Sequence, residues 1–292
     1  MKSMKRLAAG FALLWFPLLV GGPVAAATVP PPPDPGLAAS LRAADAIAEV
    51  EILAGGPFRA VAAARRVYRG TLPRVFELGG YNSLNWDATS AAFETGSRWI
   101  LFLSHTDRPD IFAPLTPSAP RLPVKDGSVL LSLGDPPFRL PIPEADLRAA
   151  MELLASAEPE VERGVRLMRD LWSRNEVEAR YLATALAGWL GDARAVPLLA
   201  EAARDKLLRL RLLAVDALKR IGAPDALAVL RAMLKDERDL VTREAAAALV
   251  EAQDVEAVPA LLEWAQRAAE AKARLPEDDS RRKTGAQYLN RL

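Results

Sequence analysis

The chain has no cysteine and a single histidine, His105. Without cysteine it can form no disulfide, so its stability has to come from a buried apolar core. A zinc site of the usual nitrogen and sulfur type is excluded as well, because one histidine cannot supply the ligands. Aromatic residues are also few, at 6% of the 292 residues. The sequence therefore predicts neither a metal nor another cofactor.

Residues that would mark a catalytic site are equally scarce. His105 lies beside Ser104 and Asp107, but neighbours in sequence form a triad only if the fold aligns their side chains. A polar loop after a strand explains the same residues, and we favour that interpretation. The glycine pairs at 55–56 and 79–80 lack the strand-to-helix setting of a phosphate loop. The sequence thus predicts no catalytic residue.

What the sequence does contain is an internal repeat. Gly191, Gly222 and Gln253 each open a similar segment, which gives a period of 31 residues. Such a period is typical of stacked helix pairs that bury their apolar faces against each other. Apolar residues recur at i, i+3 and i+7 in each second helix, which predicts one buried stripe per helix. The predicted stripes are Val196, Leu199 and Ala203, then Leu227, Leu230 and Leu234, then Val258, Leu261 and Ala265.

The motif Gly-Asp-x-Arg-Ala-Val-Pro-x-Leu is nearly complete at residues 191–199. It resembles the short HEAT-like repeats of phycobilisome-lyase-type and other bacterial HEAT proteins. The third copy departs from the motif, because Gln253 replaces its glycine. The resemblance implies an α-solenoid with capping helices over residues 144–292. It also implies a partner surface on the second helices, which line the concave side of such stacks, and a bilin-lyase-like activity stays open as an alternative.

Polar side chains on the repeats form two sets. Arg180, Arg211 and Arg243 recur once per copy, and we interpret them as a packing ladder that pairs with Asp192 and its equivalents. A basic ligand-binding ladder is the alternative. Other polar side chains fall opposite the apolar stripes, and two aromatic residues lie in the amide-rich loop at residues 80–87. The candidate partner-binding residues are Glu201, Arg204, Lys235, Glu263, Gln266, Tyr81 and Trp86.

Residues 37–143 have a different texture, with short apolar runs between frequent glycines and prolines. The runs at 46–53, 59–68, 74–78 and 99–103 predict strands, and Asp126-Gly127 predicts a two-residue hairpin turn. Strands without intervening helices indicate a small antiparallel barrel or sandwich. Arg69-Gly70, the run Trp99-Ile-Leu-Phe and the hairpin resemble the netrin/TIMP-like OB barrel. That family inhibits zinc proteases through an N-terminal cysteine, which this chain lacks.

The first 27 residues have the layout of a secretory signal peptide. Lys2, Lys5 and Arg6 precede an apolar run that ends in small residues, so cleavage is predicted after Ala27. An uncleaved anchor is the alternative, although the apolar run is short for a membrane span. Residues 28–36 form a proline-rich linker. The chain is therefore expected to be exported, to the periplasm or the medium, without a later membrane span.

Removing the signal peptide also changes the charge. The full chain has a formal net charge of +1, and its three N-terminal cations leave −2 for the remainder. A nearly neutral surface gives no general attraction to nucleic acid. The sequence therefore predicts a non-enzymatic exported scaffold that binds a protein or peptide partner in the cell envelope. A hydrolase, a bilin-lyase-like enzyme or accessory, and a protease-inhibitor-like β domain remain as alternatives.

Overall fold

The computed structural model describes residues 36–56, 59–79, 93–115, 121–133, 138–156 and 160–273. The predicted signal peptide, most of the proline-rich linker, the loop with Tyr81 and Trp86, and residues 274–292 lie outside these ranges. The strands are β1 (Ala46–Ala54), β2 (Arg59–Arg69), β3 (Val75–Gly79), β4 (Arg98–His105), β5 (Ile111–Pro114), β6 (Arg121–Lys125), β7 (Ser128–Leu133) and β8 (Phe138–Pro143). The helices are α1 (Gly36–Ala43), α2 (Glu144–Leu154), α3 (Val161–Ser173), α4 (Val177–Leu190), α5 (Val196–Ala202), α6 (Leu208–Ile221), α7 (Pro224–Met233), α8 (Asp239–Glu251) and α9 (Val258–Ala273).

Five strands close into a barrel. The ring runs β1, β2, β3, β5, β4 and back to β1, where Ala46 through Glu51 pair with the antiparallel strand β4. One pair departs from the predicted antiparallel arrangement, because β3 and β5 run parallel. Alternate side chains fill the interior, as the period of two in a strand requires. The barrel core includes Val50, Ile52, Leu78, Leu101 and Phe112.

The strands β6, β7 and β8 extend the sheet beyond the barrel, because β4 pairs with β6 as well as with β5. Asp126 and Gly127 join β6 to β7 with φ values of 51° and 74°, which confirms the predicted hairpin turn. The inner face of this extension packs against the helices. Ile142 from β8 belongs to the same buried cluster as Leu147 from α2 and Leu182 from α4. Ile47 of β1 and Phe102 of β4 belong to this cluster too, so one face of the sheet shares an apolar core with the helices, beside the separate core inside the barrel.

The helix α1 was not anticipated, since Gly36 was assigned to the linker and the following residues to the β domain. Its buried Leu37 and Leu41 belong to the core that barrel and helices share. Arg69 donates hydrogen bonds to the carbonyls of Leu41 and Ala155, at the C-terminal ends of α1 and α2. Positive charge is favourable at both places because helix carbonyls point there. The Arg-Gly pair thus ties β2 to two helices.

The helical region consists of α2 and α3, followed by the pairs α4/α5, α6/α7 and α8/α9. Gly191 and Gly222 end α4 and α6 in the left-handed conformation, as their positions in the repeat predicted. The first predicted stripe is buried, but the third is not, because Val258 is 47% exposed. The buried positions in and just before α9 include Ala257 and Trp264, which lie 31 residues after the buried Ala226 and Met233. The period is therefore kept, and the predicted third stripe fell one residue too late.

Candidate functional site

A groove lies between the second helices of the first two repeats. It has a volume of about 420 Å³, within the roughly 300–1,000 Å³ of ordinary binding pockets. Small side chains leave this space open. The lining residues are Ala200, Ala203, Arg204, Arg211, Ala228, Val229, Ala232, Met233, Lys235, Asp236 and Glu237. We call this feature the α5/α7 groove.

Two of the predicted partner-binding residues come together in this groove. Arg204 follows the end of α5 and Lys235 follows the end of α7, one period apart. Both side chains are exposed, and neither has a hydrogen bond or ion pair within the part of the chain that the structure describes. The backbone carbonyl of Leu234, next to Lys235, accepts a hydrogen bond from Arg267 at 3.1 Å. The two cations therefore face the solvent over an apolar floor.

The other charges of the α5/α7 groove are compensated. Arg211 is buried, and its Nε lies 3.0 Å from Oδ2 of Asp236. Its Nη2 lies 3.4 Å from Oε1 of Glu237. Both lining carboxylates thus contact the same guanidinium, and the exposed Glu237 also lies 3.7 Å from Arg238. Three cations and two carboxylates line the groove, so its net charge is positive, and Arg204 and Lys235 are the cations without an ionic partner there.

The arginine ladder packs as predicted but pairs with different aspartates. Arg180 forms an ion pair with Asp205, and Arg211 pairs with Asp236, whereas Asp192 pairs with its neighbour Arg194. The prediction of Asp192 was wrong because the loop after each second helix, not the joint inside the pair, returns to the first helix. Each aspartate also accepts a hydrogen bond from the backbone N–H two residues later, Asp205 from Leu207 and Asp236 from Arg238.

The ladder changes character in the third repeat. The residue one period after Arg211 is Thr242, which is buried and accepts a hydrogen bond from Trp264 Nε1 at 3.1 Å. Arg243, which the sequence placed in the ladder, instead contacts Asp239 on its own helix, with 3.1 Å between Nε and Oδ2. Arg243 lies one residue beyond the position that the 31-residue period makes equivalent to Arg211, so it falls on a different face of α8.

The remaining candidates on the second helices lie apart from the α5/α7 groove. Glu201 is exposed and accepts a hydrogen bond from Trp172 Nε1 at 2.8 Å. Glu263 and Gln266 are exposed on α9 but do not line the groove. Tyr81 and Trp86 lie outside the described residues. The alanines that line the groove, at 200, 203, 228 and 232, were missed because they do not recur at the 31-residue period.

The residues around His105 do not assemble into a catalytic arrangement in the described ranges. Ser104 and His105 are neighbours on β4, so their side chains point to opposite faces. The hydroxyl of Ser104 is 3.4 Å from the carbonyl of Ala113, and the His105 ring packs 5.0 Å from the ring of Phe112. No hydrogen bond among the described residues links either side chain to Asp107.

A second hollow lies on the barrel near the end of β4. Its volume is about 270 Å³, and two arginines contribute to its lining. Arg59 lies 2.9 Å from Glu77, and Arg108 lies 3.3 Å from Asp110, so both cations have carboxylate partners. This hollow therefore lacks the uncompensated charge that distinguishes the α5/α7 groove.

Among the described residues, no three histidine, cysteine, aspartate or glutamate side chains are placed to hold a metal ion. No helix in the described part of the chain combines the length and the apolar character that a bilayer crossing requires.

Comparison with known proteins supports the repeat interpretation. Residues 207–275, which contain α6 through α9, match the family described as HEAT repeats. A search of curated proteins found no match to the chain. The first pair, α4/α5, lies outside the matched range but has the same period and the same glycine end. The chain thus combines a closed five-stranded barrel with a helical region of which residues 207–275 match HEAT repeats.

Proposed function

We propose that this protein is a non-enzymatic, exported scaffold that holds a protein or peptide partner in the α5/α7 groove. The observation that carries the proposal is the groove itself, an open apolar cleft flanked by two solvent-facing cations. HEAT-type solenoids commonly present such surfaces to partners. The described residues around His105 offer no comparable arrangement, which favours a scaffold over a hydrolase.

Affinity capture from an envelope extract tests this function, with the exported protein as bait. Ala232→Trp would fill the groove with an indole. Ala247→Trp, at an exposed alanine on α8 away from the groove, is the matched control. The proposal expects a partner that the wild type and the Ala247 variant retain and the Ala232 variant loses. Equal retention by all three proteins would contradict binding in the groove.

The finer family relations are part of this proposal. We propose that the repeats are of the short, phycobilisome-lyase type and that the barrel is netrin/TIMP-like without the inhibitory cysteine. The 31-residue period supports the first, and the phrases around Arg69-Gly70 and Trp99 support the second. Stoichiometric inhibition of a zinc protease by the purified protein would contradict the proposal that this barrel lacks the inhibitory function.

Export is the remaining component of the proposal, and the layout of residues 1–27 supports it. After expression with its own N-terminus, the protein is expected in the periplasm or medium with Thr28 as its first residue. Amino-terminal sequencing of the fractionated protein measures this. Recovery of the uncleaved chain from the cytoplasm would contradict export, and recovery of the uncleaved chain from membranes would favour an anchor.

A further inference from the structure

We infer that the α5/α7 groove recognises an acidic peptide segment, in which carboxylates flank a small apolar side chain. This inference rests on the proposed function, since it specifies the partner segment that the groove would hold. Arg204 and Lys235 are exposed and lack acidic partners in the described part of the chain, while other groove charges are paired.

The nearest carboxylates cannot neutralise these two cations without breaking other contacts. Asp205, next to Arg204, is buried in its ion pair with Arg180. Asp236, next to Lys235, is held by Arg211. Glu201, three residues before Arg204, accepts from the indole of Trp172. An incoming carboxylate would therefore meet cations that are available for charge-assisted hydrogen bonds.

The geometry of the repeat sets the spacing of the ligand groups. Arg204 and Lys235 occupy equivalent positions on neighbouring helices, and packed helices lie about 8–10 Å apart. Two carboxylates two residues apart in an extended peptide point to the same side and lie about 7 Å apart, at about 3.3 Å per residue, while the residue between them points the other way. The long side chains of glutamate, arginine and lysine can cover the remaining distance. Such a peptide can therefore place one carboxylate on each cation.

The floor of the groove defines what lies between those carboxylates. Ala200, Ala228 and Ala232 are small, and the space above them suits short aliphatic side chains rather than an additional charged group. The third repeat has no equivalent cation, because Gln266 lies one period after Lys235. Recognition by charge is thus confined to the first two repeats.

The test measures the binding of short fluorescein-labelled peptides to the full protein by fluorescence anisotropy. One probe carries two glutamates separated by a single alanine, and its twin carries glutamine in place of each glutamate. We expect the acidic probe to bind at least about tenfold more tightly than its twin, with an affinity that falls as salt is raised. Arg204→Gln with Lys235→Gln should weaken the acidic probe by about tenfold or more.

The matched control removes two exposed arginines from α3, as Arg163→Gln with Arg166→Gln. Equal loss of binding in both double variants would overturn the inference, because it would indicate general attraction. Equal affinity for the two probes, or no binding of either, would overturn it as well. Anionic lipid vesicles that bind as the acidic peptide does, with the same dependence on the groove cations, would overturn the assignment to a peptide.

These outcomes are separable from those of the proposed function. If Ala232→Trp abolishes partner capture while the acidic probe fails to bind, the scaffold stands and the acidic peptide is wrong. If capture is unaffected by Ala232→Trp, the proposed function fails whatever the probe does. Success of both experiments assigns the groove and the chemistry of its ligand together.

Discussion

At the scale of single residues, Gln253 shows how strictly the repeat fixes the backbone. It has a φ of 54° at the position where Gly191 and Gly222 end the preceding first helices. A residue with a Cβ is strained in the left-handed conformation by about 1–2 kcal/mol, and glycine is not. The fold therefore imposes on glutamine a conformation that the sequence pattern assigns to glycine.

We predict that Gln253→Gly stabilises the protein. The relief of backbone strain exceeds the greater entropy of glycine in the unfolded chain, so the free energy of unfolding should rise by roughly 0.5–1 kcal/mol. Urea denaturation followed by circular dichroism measures the change. The reverse exchange, Gly191→Gln, is the control and should destabilise by a similar amount. A loss of stability in Gln253→Gly would contradict the interpretation of strain.

Glu49 is a second residue whose role depends on its surroundings. It is 3% exposed on β1, and it bonds Arg98 on β4 and Arg148 on α2, at 2.5 Å and 2.9 Å. Burial alone would raise the pKa of Glu49, but the hydrogen bonds from the two arginines outweigh it and hold the pKa below its ordinary value. This carboxylate joins the barrel to the helices in its ionised form.

We predict that Glu49→Gln lowers the free energy of unfolding at neutral pH by about 2–4 kcal/mol, because Arg98 and Arg148 lose the more buried of the two carboxylates they share and keep only Glu144. A depressed pKa stabilises the folded state above the unfolded pKa of about 4.3, and this contribution is lost as pH falls through the lower folded value. The difference between wild type and variant in urea should therefore shrink below about pH 4. A difference that stays constant down to low pH would contradict an ionised Glu49.

At the scale of elements, the repeats are joined by ion pairs as well as by apolar stripes. Arg180 and Asp205 link α4 to the loop after α5, and the pair of Arg211 with Asp236 repeats the link one period later. Arg211 also donates to the carbonyl of Asp205 at 2.9 Å, which connects the two links. The aspartates are largely buried, so these pairs are sensitive to the removal of one partner.

We predict that Asp205→Asn costs about 2–3 kcal/mol of unfolding free energy, since Arg180 would be left without its charge partner. Asp192→Asn is the matched control, because the Asp192 side chain is more exposed and pairs with the exposed Arg194. The control should cost less than about 1 kcal/mol. Thermal and urea unfolding of both variants compares them, and equal costs would contradict the assigned pairing.

The sequence was sufficient to predict those elements whose signals are local. The strands β1 to β4, the hairpin turn at Asp126 and the helix pairs follow from alternation, turn chemistry and the 31-residue period. The short strand β5 was missed because Ile111–Pro114 is too short to alternate, and β8 because its two prolines suggested an end of the sheet. Helix α1 was missed because only tertiary packing shows why Leu37 and Leu41 are buried.

The candidate site was predictable in part for the same reason. Periodicity placed Arg204 and Lys235 opposite the apolar stripes, and the structure brings both to one groove. Periodicity could not show which carboxylates were already engaged, because the partners of Arg180 and Arg211 lie 25 residues away along the chain. The uncompensated charge of the groove is therefore a property of the fold.

At the scale of the whole molecule, the barrel and the helices are not independent. The ring of Phe138 on β8 packs 5.0 Å from the ring of Tyr181 on α4. The guanidinium carbon of Arg209 lies over the Phe138 ring, 5.0 Å from its centroid. Ile47 and Phe102 of the barrel strands also pack in the same apolar core as the helices. The ion pair between Glu49 on β1 and Arg148 on α2 adds a further contact between barrel and helices. The sheet thereby packs against α2 and against α4, the first helix of the first repeat.

We predict that barrel and helices unfold together. Phe138→Ala should lower the stability of both by about 2 kcal/mol, because an aromatic contact at the joint is lost. Hydrogen exchange in denaturant should show the same decrease for amides in β4 and in α6. A decrease confined to either region would contradict a common core.

The most direct measurement of the central claim is photo-cross-linking in intact cells. A benzoylphenylalanine replaces Ala228 on the floor of the α5/α7 groove, and the same residue replaces Ala247 on α8 as the control. We predict a discrete adduct from position 228 and none from position 247. Mass spectrometry should map the cross-link to one segment of another protein. No adduct at position 228, or the same adduct at both positions, would contradict a partner bound in the groove.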